Sequence, residues 1–591
     1  MRRIISLFPL LLLALANTMA AFAAPVQLVD EAPLEIRKIG SGLFLVDFGR
    51  VAFGNVRLAP HTENKSEVTV HFGEALGQGR INRKPPGSVR YAKTTVSVDG
   101  NKPVVAAPAP DGRNIRPPVI RTPPGWGVVL PFRWVEIEGW PGDLTPDHIR
   151  RQSAFASTWD DQAAEFKSSD EMLNRIWELC RYSIKATTFA GVYVDGDRER
   201  IPYEADAYQN QLGQYYTDQD IQMARDTFDH LMKHPTWPTE WAAHMIFMAH
   251  ADYMRTGDTD WLAARYAKLQ SKLLLHRARA DGMIVSNDGQ VKRSDLVDWP
   301  SGERDGFVFM PVNTVINAFH IRTLRLMSEM ASALKKDSEA AGYLAHAAKA
   351  QASFQAVLFD PVKGIYRDGV GTSHSSQHAN LFPLAFDLVP AEHRLKLTAW
   401  VAERGMRCSV YAAQYLLEGL FSTGFATQAL ALMTAPGDRS WRHMVDSGAT
   451  ITWEAWDQKY KPNQDWNHAW GAAPANIIPR KVMGVEPTQP GYTQIRIAPQ
   501  PGNLAWARAR IPSPKGPVGV AFTNAPVFML SVEIPAGMTA LIRLPLPASA
   551  VPERTKLLCN GKPVQATTKD GGLLADQPVG SGRYEFKLVT L

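Results

Sequence analysis

The sequence predicts a multidomain β–α–β protein, with a central toroid of helix pairs between an N-terminal and a C-terminal β-sandwich. Three observations predict it. The chain has 591 residues, too many for one hydrophobic core. A hydrophobic content of 45% with 21% charged residues is ordinary for a globular protein and argues against disorder. The spacing of apolar residues then changes twice along the chain, from alternating to helical and back.

From about Pro25 to Phe155 short alternating runs dominate, such as Leu43 to Phe48, Glu67 to Phe72 and Thr94 to Val98. Gly, Pro and Asn separate them, as in an antiparallel sandwich. The Pro/Gly-rich stretch from Asn101 to Trp126 reads as a long loop, and Phe132 to Glu138 as a strand with one wet face. From about Ser169 the period lengthens to that of helices, through Met172–Ala186, Asp218–Met232, Trp241–Arg255 and Asp260–Ala280. It continues through Val312–Leu334, Ser338–Leu358, Glu392–Glu403 and Ala412–Met433, with Asp170 and Ser338 as N-caps. Strand-like runs return after Pro487, in Thr493–Ala498, Gly519–Thr523, Phe528–Ile534, Thr539–Leu544 and Tyr584–Leu588.

The N-terminus reads as a secretory signal. Arg2 and Arg3 precede an apolar run from Ile4 to Ala16, and Ala21-Phe22-Ala23 supplies an A-x-A cleavage pattern. That run is shorter than the roughly 20 residues a membrane span needs. The expected division is therefore a signal over 1–23, a sandwich over 25–158, the helical domain over 165–486 and a sandwich over 487–591. A secreted or periplasmic protein without a membrane span after signal removal follows.

Cys180, Cys408 and Cys559 are widely spaced and lack metal-type C-x-x-C spacing. The formal charge of +6 is dispersed, with no basic block or aromatic stripe, which makes nucleic acid a poor partner. There is no G-x-S-x-G elbow, phosphate loop, H-E-x-x-H or dinucleotide fingerprint. His244, His250 and His320 read as core or surface residues. No metal and no cofactor are expected, and the oligomeric state is not legible.

Two constellations carry chemistry. Asp195-Gly196-Asp197-Arg198-Glu199-Arg200 leads into Ile201-Pro202-Tyr203-Glu204-Ala205-Asp206, with five carboxylates and two arginines in twelve residues. Pro202 disfavours helix before it, so the run is a loop and a helix starts near Tyr203 or Glu204. Thr452-Trp453-Glu454-Ala455-Trp456-Asp457 is followed by Asp465-Trp466-Asn467-His468-Ala469-Trp470, with four tryptophans and three carboxylates in nineteen residues. Aromatic faces stack on sugar rings while carboxylates and amides hold hydroxyls, so this pairing predicts a carbohydrate site. Asp298-Trp299 and the patch ending in Glu240-Trp241 put further tryptophans beside carboxylates between helices. Two carboxyl groups flanking the scissile bond are the minimum for glycoside hydrolysis. A separation of roughly 6.5–9.5 Å gives inversion and about 5–5.5 Å retention.

At these residues the chain resembles bacterial α-L-rhamnosidases of glycoside hydrolase family 78, in the six-hairpin glycosidase superfamily. Arg198-Glu199-Arg200 matches the R-E-R core of the family's D-C-P-x-R-x-E-R run, and Asp206 its later Asp. Gly448 to Asp457 resembles G-A-T-T-x-W-E-x-W-D, and Asn467-His468 with Gly471-Ala472 resembles S-x-N-H-x-x-x-G-A. Pro490 to Pro499 resembles P-G-Y-x-x-I-x-I-x-P. The resemblance implies an (α/α)6 barrel between β-sandwiches, Glu199 as general acid, Glu454 as general base through water, and inversion. It also implies that Asp195, Asp206 and His468 hold a rhamnose, with Trp299, Trp453 and Trp456 lining its pocket.

Asp197, Arg198, Glu204, Trp241, Asp298 and Asp457 complete the expected substrate-binding set. Where the family has three residues before R-E-R, this chain has Gly196-Asp197, which leaves both Asp195 and Asp197 as sugar contacts. Tyr203 stands for the family's Trp, and Glu204 is an added carboxylate. The alternatives are a barrel glycosidase or lyase for another sugar, or a glycan-binding relative that lost catalysis.

Overall fold

The structure, a computed structural model, describes residues 26–590 except 526, 547–549, 552–553 and 570. The signal-peptide segment lies outside the described residues. Among those described, no helix is long and apolar enough to cross a membrane.

The N-terminal domain holds one hydrogen-bonded sheet of eight strands and a separate two-stranded ribbon, Leu76–Gly77 with Arg80–Ile81. The expected pair of sheets is joined because strand Leu43–Leu58 is 16 residues long. It pairs with Glu35–Gly40 through its first half, with Val104–Ala106 and Ile149–Ala156 through its second, and with Leu130–Glu138 on both sides of a register shift between Asp47 and Ala52. Val68, Val70 and Phe72 of Thr62–Gly73 pack against Phe44, Val46, Phe132 and Ile137 in the domain's core. The stretch expected as a long loop holds the strand Val104–Ala106 and a short helix, Gly112–Ile115.

Six helix pairs follow. They are α1 (Glu171–Ala186) and α2 (Glu204–Thr217), α3 (Gln222–Lys233) and α4 (Ala242–Thr256), and α5 (Thr259–Leu269) and α6 (Thr314–Ala333). The rest are α7 (Asp337–Leu358) and α8 (His378–Ala385), α9 (Ala391–Glu403) and α10 (Ala413–Ser422), and α11 (Ala426–Met433) and α12 (Pro474–Ile477). The even-numbered helices touch one another in a closed ring, α2–α4–α6–α8–α10–α12–α2, and the odd-numbered ones lie outside. This is the expected (α/α)6 barrel.

Aromatic rings plug its axis. Phe247 of α4, Phe319 of α6, Phe382 of α8 and Tyr415 of α10 pack with Phe386, at centroid distances such as 4.9 Å for Phe319–Phe386 and 5.1 Å for Phe382–Tyr415. Burial of such rings is the largest apolar contribution a core of this kind makes.

Helix limits differ from the expectation where the backbone decides. Asp170 caps α1 by accepting from Leu173 N at 3.1 Å. Ser338 is not a cap, since α7 begins at Asp337 without a side-chain cap bond. The run Ala412–Met433 is two helices broken at 423–425, with Gly424 at φ +84°.

The closing domain has a seven-stranded and a five-stranded sheet. Its edge strand is Glu165–Ser168, which precedes the barrel and pairs antiparallel with Trp506–Ile511. The barrel is thus tied to the C-terminal sandwich at both of its ends.

Connections from inner to outer helices are short, such as 218–221 and 257–258, while those from outer to inner helices are long, such as 187–203, 270–313 and 434–473. Both chemical constellations lie in long connections. The site therefore sits at the N-terminal ends of the inner helices, where unsatisfied N–H groups and the helix dipole favour anionic side chains.

Candidate active site

The loop before α2 is a closed turn. Asp195 N donates to Ile201 O at 3.0 Å, and Asp195 Oδ1 accepts from Ile201 N at 3.1 Å. Gly196 at φ +109° belongs there, because a Cβ would lie 2.8 Å from Asp465 Oδ2 and 2.8 Å from Asn467 O. Arg200 is held in the left-handed region at φ +54°. Its guanidinium bonds Asp197 Oδ1 and, at 2.8 Å, Val129 O.

This turn presents Arg198 and Glu199 to the loop 448–470. Arg198 forks onto Glu454, with Nη1 to Oε2 at 2.7 Å and Nη2 to Oε1 at 2.8 Å. The same Nη2 lies 3.3 Å from Glu199 Oε1. One guanidinium nitrogen therefore touches both candidate catalytic carboxylates. Tyr203 Oη donates to Glu199 Oε2 at 2.6 Å. Burial, then the nearby Asp195 carboxyl and the bond to Glu199, push the Tyr203 phenol far up and keep it a donor. Glu199 stands at the mouth with a side chain 39% exposed, whereas Glu454 is buried at 2%.

Burial, with the Asp465 charge next, raises the Glu454 carboxyl above its ordinary value. His468, Arg198 and Lys461, whose Nζ is 3.3 Å from Oε1, oppose the rise. His468 Nε2 bonds Asp206 Oδ1 at 2.6 Å, and its Nδ1 is 3.5 Å from Asp465 Oδ1. Burial works against a charged imidazole here, but the two aspartates outweigh it and hold His468 protonated well above its usual range. Burial likewise raises the Asp195 carboxyl, with His468 opposing and Glu199, Asp465 and Asp206 reinforcing.

Glu454, Asp465 and His468 bring their ligand atoms within 4.8 Å of one another, a spacing that suits a cation. In this protein those groups are already balanced by Arg198, Lys461 and the imidazolium. Asp206 Oδ2 and Trp241 Nε1 are buried without a hydrogen-bond partner among the described residues, while His468 Nδ1 and Asp465 Oδ1 face each other as an ion pair. Donors and acceptors left so at one place are what a polyhydroxylated ligand satisfies.

The floor is aromatic. Trp470 stacks on Tyr411 at 5.8 Å, Trp241 meets Trp470 edge-on at 6.4 Å, and Trp241 meets Tyr203 edge-on at 5.7 Å. His244, which burial pushes down to about 3, bonds Tyr415 Oη at 2.7 Å and joins this floor to the barrel plug. Trp453 stacks on Trp466 at 5.4 Å. Trp299 is 36% exposed, with Lys461 Nζ 5.4 Å from its ring.

Of the expected residues, Asp195, Arg198, Glu199, Asp206, Glu454 and His468 thus come together, with Trp241, Trp299 and Trp453 around them. Five do not. Asp197 turns toward the N-terminal sheet, where burial would raise its carboxyl but Arg200, Arg90 and Arg113 hold it far down. Glu204 accepts from Thr236 N at 2.9 Å and from Thr236 Oγ1, which anchors the loop before α4. Asp298 is fully buried, accepting from His378 Nε2 at 2.6 Å and from Ser409 N at 2.9 Å. Trp456 is core, donating to Cys408 O at 2.7 Å and packed edge-on against Trp441 at 4.9 Å. Asp457 bonds His443 Nε2 at 2.7 Å. In each case a local partner uses the polar atom that the sequence pattern offers to a ligand.

Sequence reasoning missed Lys461 and Tyr411, which carry no motif, and the N-terminal residues Glu74, Arg90 and Arg113, 84 residues or more from the loops they touch. The signal that would have found Lys461 is its place between the two motifs of the 452–470 segment.

A six-hairpin barrel with paired glutamates at its mouth defines a glycosidase-type architecture. Residues 161–482 match the family described as the bacterial alpha-L-rhamnosidase 6 hairpin glycosidase domain, and the chain belongs to it. Residues 37–155 match the concanavalin-like domain of the same proteins, and 484–556 their C-terminal domain. The chain is 24% identical over 612 residues to an alpha-L-rhamnosidase of Alteromonas sp. strain LOR, covering 96% of itself and 61% of that protein. It is 23% identical over 598 residues to one from Streptomyces avermitilis, covering 95% and 53%.

It therefore spans roughly half to three-fifths of these relatives' length. Among solved structures, the alpha-L-rhamnosidase from Dictyoglumus thermophilum superposes with a TM-score of 0.78 at 19% identity, over 95% of this chain and 63% of that one. The Streptomyces avermitilis alpha-L-rhamnosidase complexed with L-rhamnose gives 0.76 at 20% identity, over 96% and 54%. These likenesses establish the shared fold.

Proposed function

We propose that this chain is an exported, exo-acting glycoside hydrolase that releases terminal α-L-rhamnose, or a closely related sugar, from a glycan or glycoside with inversion. The observation that carries the reading is the meeting of Glu199 and Glu454 on one Arg198 nitrogen, above an aromatic floor and beside an unpartnered Asp206 oxygen. Membership of the rhamnosidase family and the rhamnose complex of the Streptomyces relative support the choice of sugar.

Tyr203 anchors Glu199 Oε2, so Oε1 is the oxygen that carries the proton to the leaving group. The fork of Arg198 uses one lone pair on each Glu454 oxygen. The remaining lone pairs accept from a water. As the C1–O bond breaks, Glu199 Oε1 protonates the glycosidic oxygen, and Glu454 takes a proton from the water that attacks C1 from the opposite face. Asp195, Asp206 and His468 hold the ring hydroxyls.

The test is hydrolysis of p-nitrophenyl α-L-rhamnoside by the chain and by its Glu199→Gln and Glu454→Gln variants, with the first-formed anomer read by NMR. Activity that falls on the order of 10²-fold or more in both variants supports the assignment. A wild-type chain inert on this and on other rhamnosides refutes the sugar. Undiminished activity in either variant refutes the pair, and retention of configuration refutes inversion.

A further inference from the structure

The loop that carries Glu199 is held by the barrel, through Asp465, Asn467 and Glu454, and also by the N-terminal sheet domain. Glu74 follows the strand Thr62–Gly73 and is buried. Its Oε1 accepts from Arg90 N at 2.7 Å, and its Oε2 accepts from Asn467 Nδ2 at 3.0 Å. Asn467 is fully buried, and its Oδ1 accepts from Asp197 N at 2.8 Å. The same amide therefore joins the N-terminal domain to the main chain two residues before Glu199. Asn467 is also the neighbour of His468 and lies two residues from Asp465, whose Oδ2 accepts from Arg198 N at 3.4 Å.

Two further contacts from the N-terminal domain end on this turn: Arg113 Nη1 bonds Asp197 Oδ2 at 2.9 Å, and Ile120 N donates to Arg200 O at 2.9 Å. Arg200, a non-glycine residue at φ +54°, is held in the left-handed region at this turn.

We propose that Glu74 is a positioning residue of the active site: by fixing the Asn467 amide it sets the main chain of Asp197 and hence the place of the Glu199 carboxyl. Other bonds cross between the N-terminal domain and the barrel, such as Ser88 Oγ to Asn463 O at 2.8 Å, Val51 N to Thr450 Oγ1 at 2.9 Å and Tyr182 Oη to Val51 O at 2.8 Å, but the Glu74 bond ends on a side chain that itself bonds the main chain of the turn. Loss of the Glu74 acceptor frees Asn467 to rotate, and both candidate catalytic loops lose their common tie. A displacement of about 1 Å in a reacting group costs on the order of 10²-fold in rate.

The proposal rests on the hydrolase reading, so its test has an arm that does not need catalysis. Glu74→Gln keeps the side-chain shape but turns one acceptor into a donor facing Asn467 Nδ2. Glu74→Ala removes both acceptors. With wild type active on the rhamnoside, kcat is expected to fall about 10- to 100-fold in either variant while KM stays within about twofold. Hydrogen exchange followed by mass spectrometry is expected to quicken in 195–200, in 465–468 and at the Arg90 amide that donates to Glu74, and nowhere else.

Wild-type kcat in a folded Glu74→Gln variant overturns the proposal. So does exchange that is unchanged, or that quickens throughout the N-terminal sheet, which marks a merely structural residue. Should Glu74→Ala fail to fold, Glu74→Gln decides alone. Should wild type be inert on rhamnosides, the activity reading falls, and the exchange arm still decides whether Glu74 fixes the turn.

Discussion

Removal of the Arg198 charge is the sharpest probe of how Glu454, the proposed base, is tuned. Glu454 is buried and next to Asp465, both of which raise its pKa, and the Arg198 fork at 2.7 and 2.8 Å is the closest opposing charge. An opposite charge at such range lowers a carboxylate by about 1–3 units. Arg198→Met keeps the stem and deletes the charge, so the Glu454 carboxyl is pushed further up. Lys461 at 3.3 Å and the His468 imidazolium remain and limit the rise.

The sign follows from the role. The base works ionised, so a raised pKa moves the acid limb of kcat/KM to higher pH. Below that limb the rate falls by the factor of the shift, on the order of 10- to 10³-fold. Above the new limb it recovers in part. Profiles from about pH 4 to pH 9 on p-nitrophenyl α-L-rhamnoside read this directly. Arg198→Lys, which keeps a charge without the planar fork, falls between wild type and Arg198→Met. An acid limb that stays within about 0.3 units of wild type in folded Arg198→Met refutes the reasoning and leaves Glu454 without a base's role.

Three further outcomes are expected. Gly196→Ala places a Cβ within 2.8 Å of Asp465 Oδ2 at φ +109°, and a turn shifted by about 1 Å lowers kcat on the order of 10²-fold; steady-state kinetics at unchanged Tm checks it. Asp206→Asn removes the 2.6 Å partner of His468, so the imidazolium loses its proton at lower pH. The alkaline limb of activity then moves down, and an unmoved limb counts against a charged His468 in catalysis. Glu486 is held below its usual 4.5 by Lys481, Arg480 and Arg496, although burial alone would raise it. A lowered carboxylate stabilises the fold fully above its unfolded pKa and loses that contribution progressively as pH falls from there through the folded one. Glu486→Gln therefore costs about 3 kcal/mol or more near neutral pH, and the difference from wild type shrinks below about pH 4.5 in urea unfolding.

How much of this was legible in the sequence depends on which neighbours a residue uses. Helices with one wet face, such as α1, carry a helical apolar period, and Asp170 marks the start of α1. The inner helices read worst. In α2 thirteen of fourteen residues are buried, among them Glu204, Asp206, Gln209, Asn210, Gln211 and Gln214, so polar and apolar positions follow no stripe. In α8 seven of eight residues are buried, and Pro383 inside it reads as a break.

The same distinction separates the site residues that assembled from those that did not. Asp195, Arg198, Glu199, Glu454 and His468 sit in the long connections, Asp206 sits in the first turn of α2, and they meet across the barrel mouth. Asp298 and Trp456 lie in the same connections with the same composition, but Ser409, His378 and Cys408 O stand within bonding distance and claim them. Composition marks the connection that carries chemistry. It does not tell a polar atom left for a ligand from one already used, because the partner that uses it is distant in sequence.

Asp197 makes the point most fully. It stands two residues from Glu199 and has the residue type of a sugar ligand, yet Arg90 and Arg113 of another domain bind it, 107 and 84 residues away in sequence. A carboxylate so held is better suited to fixing a turn than to exchanging hydroxyls, since each sugar contact would first have to displace a buried guanidinium. The N-terminal sheet is therefore part of the active site's construction through Asp197 and Asn467.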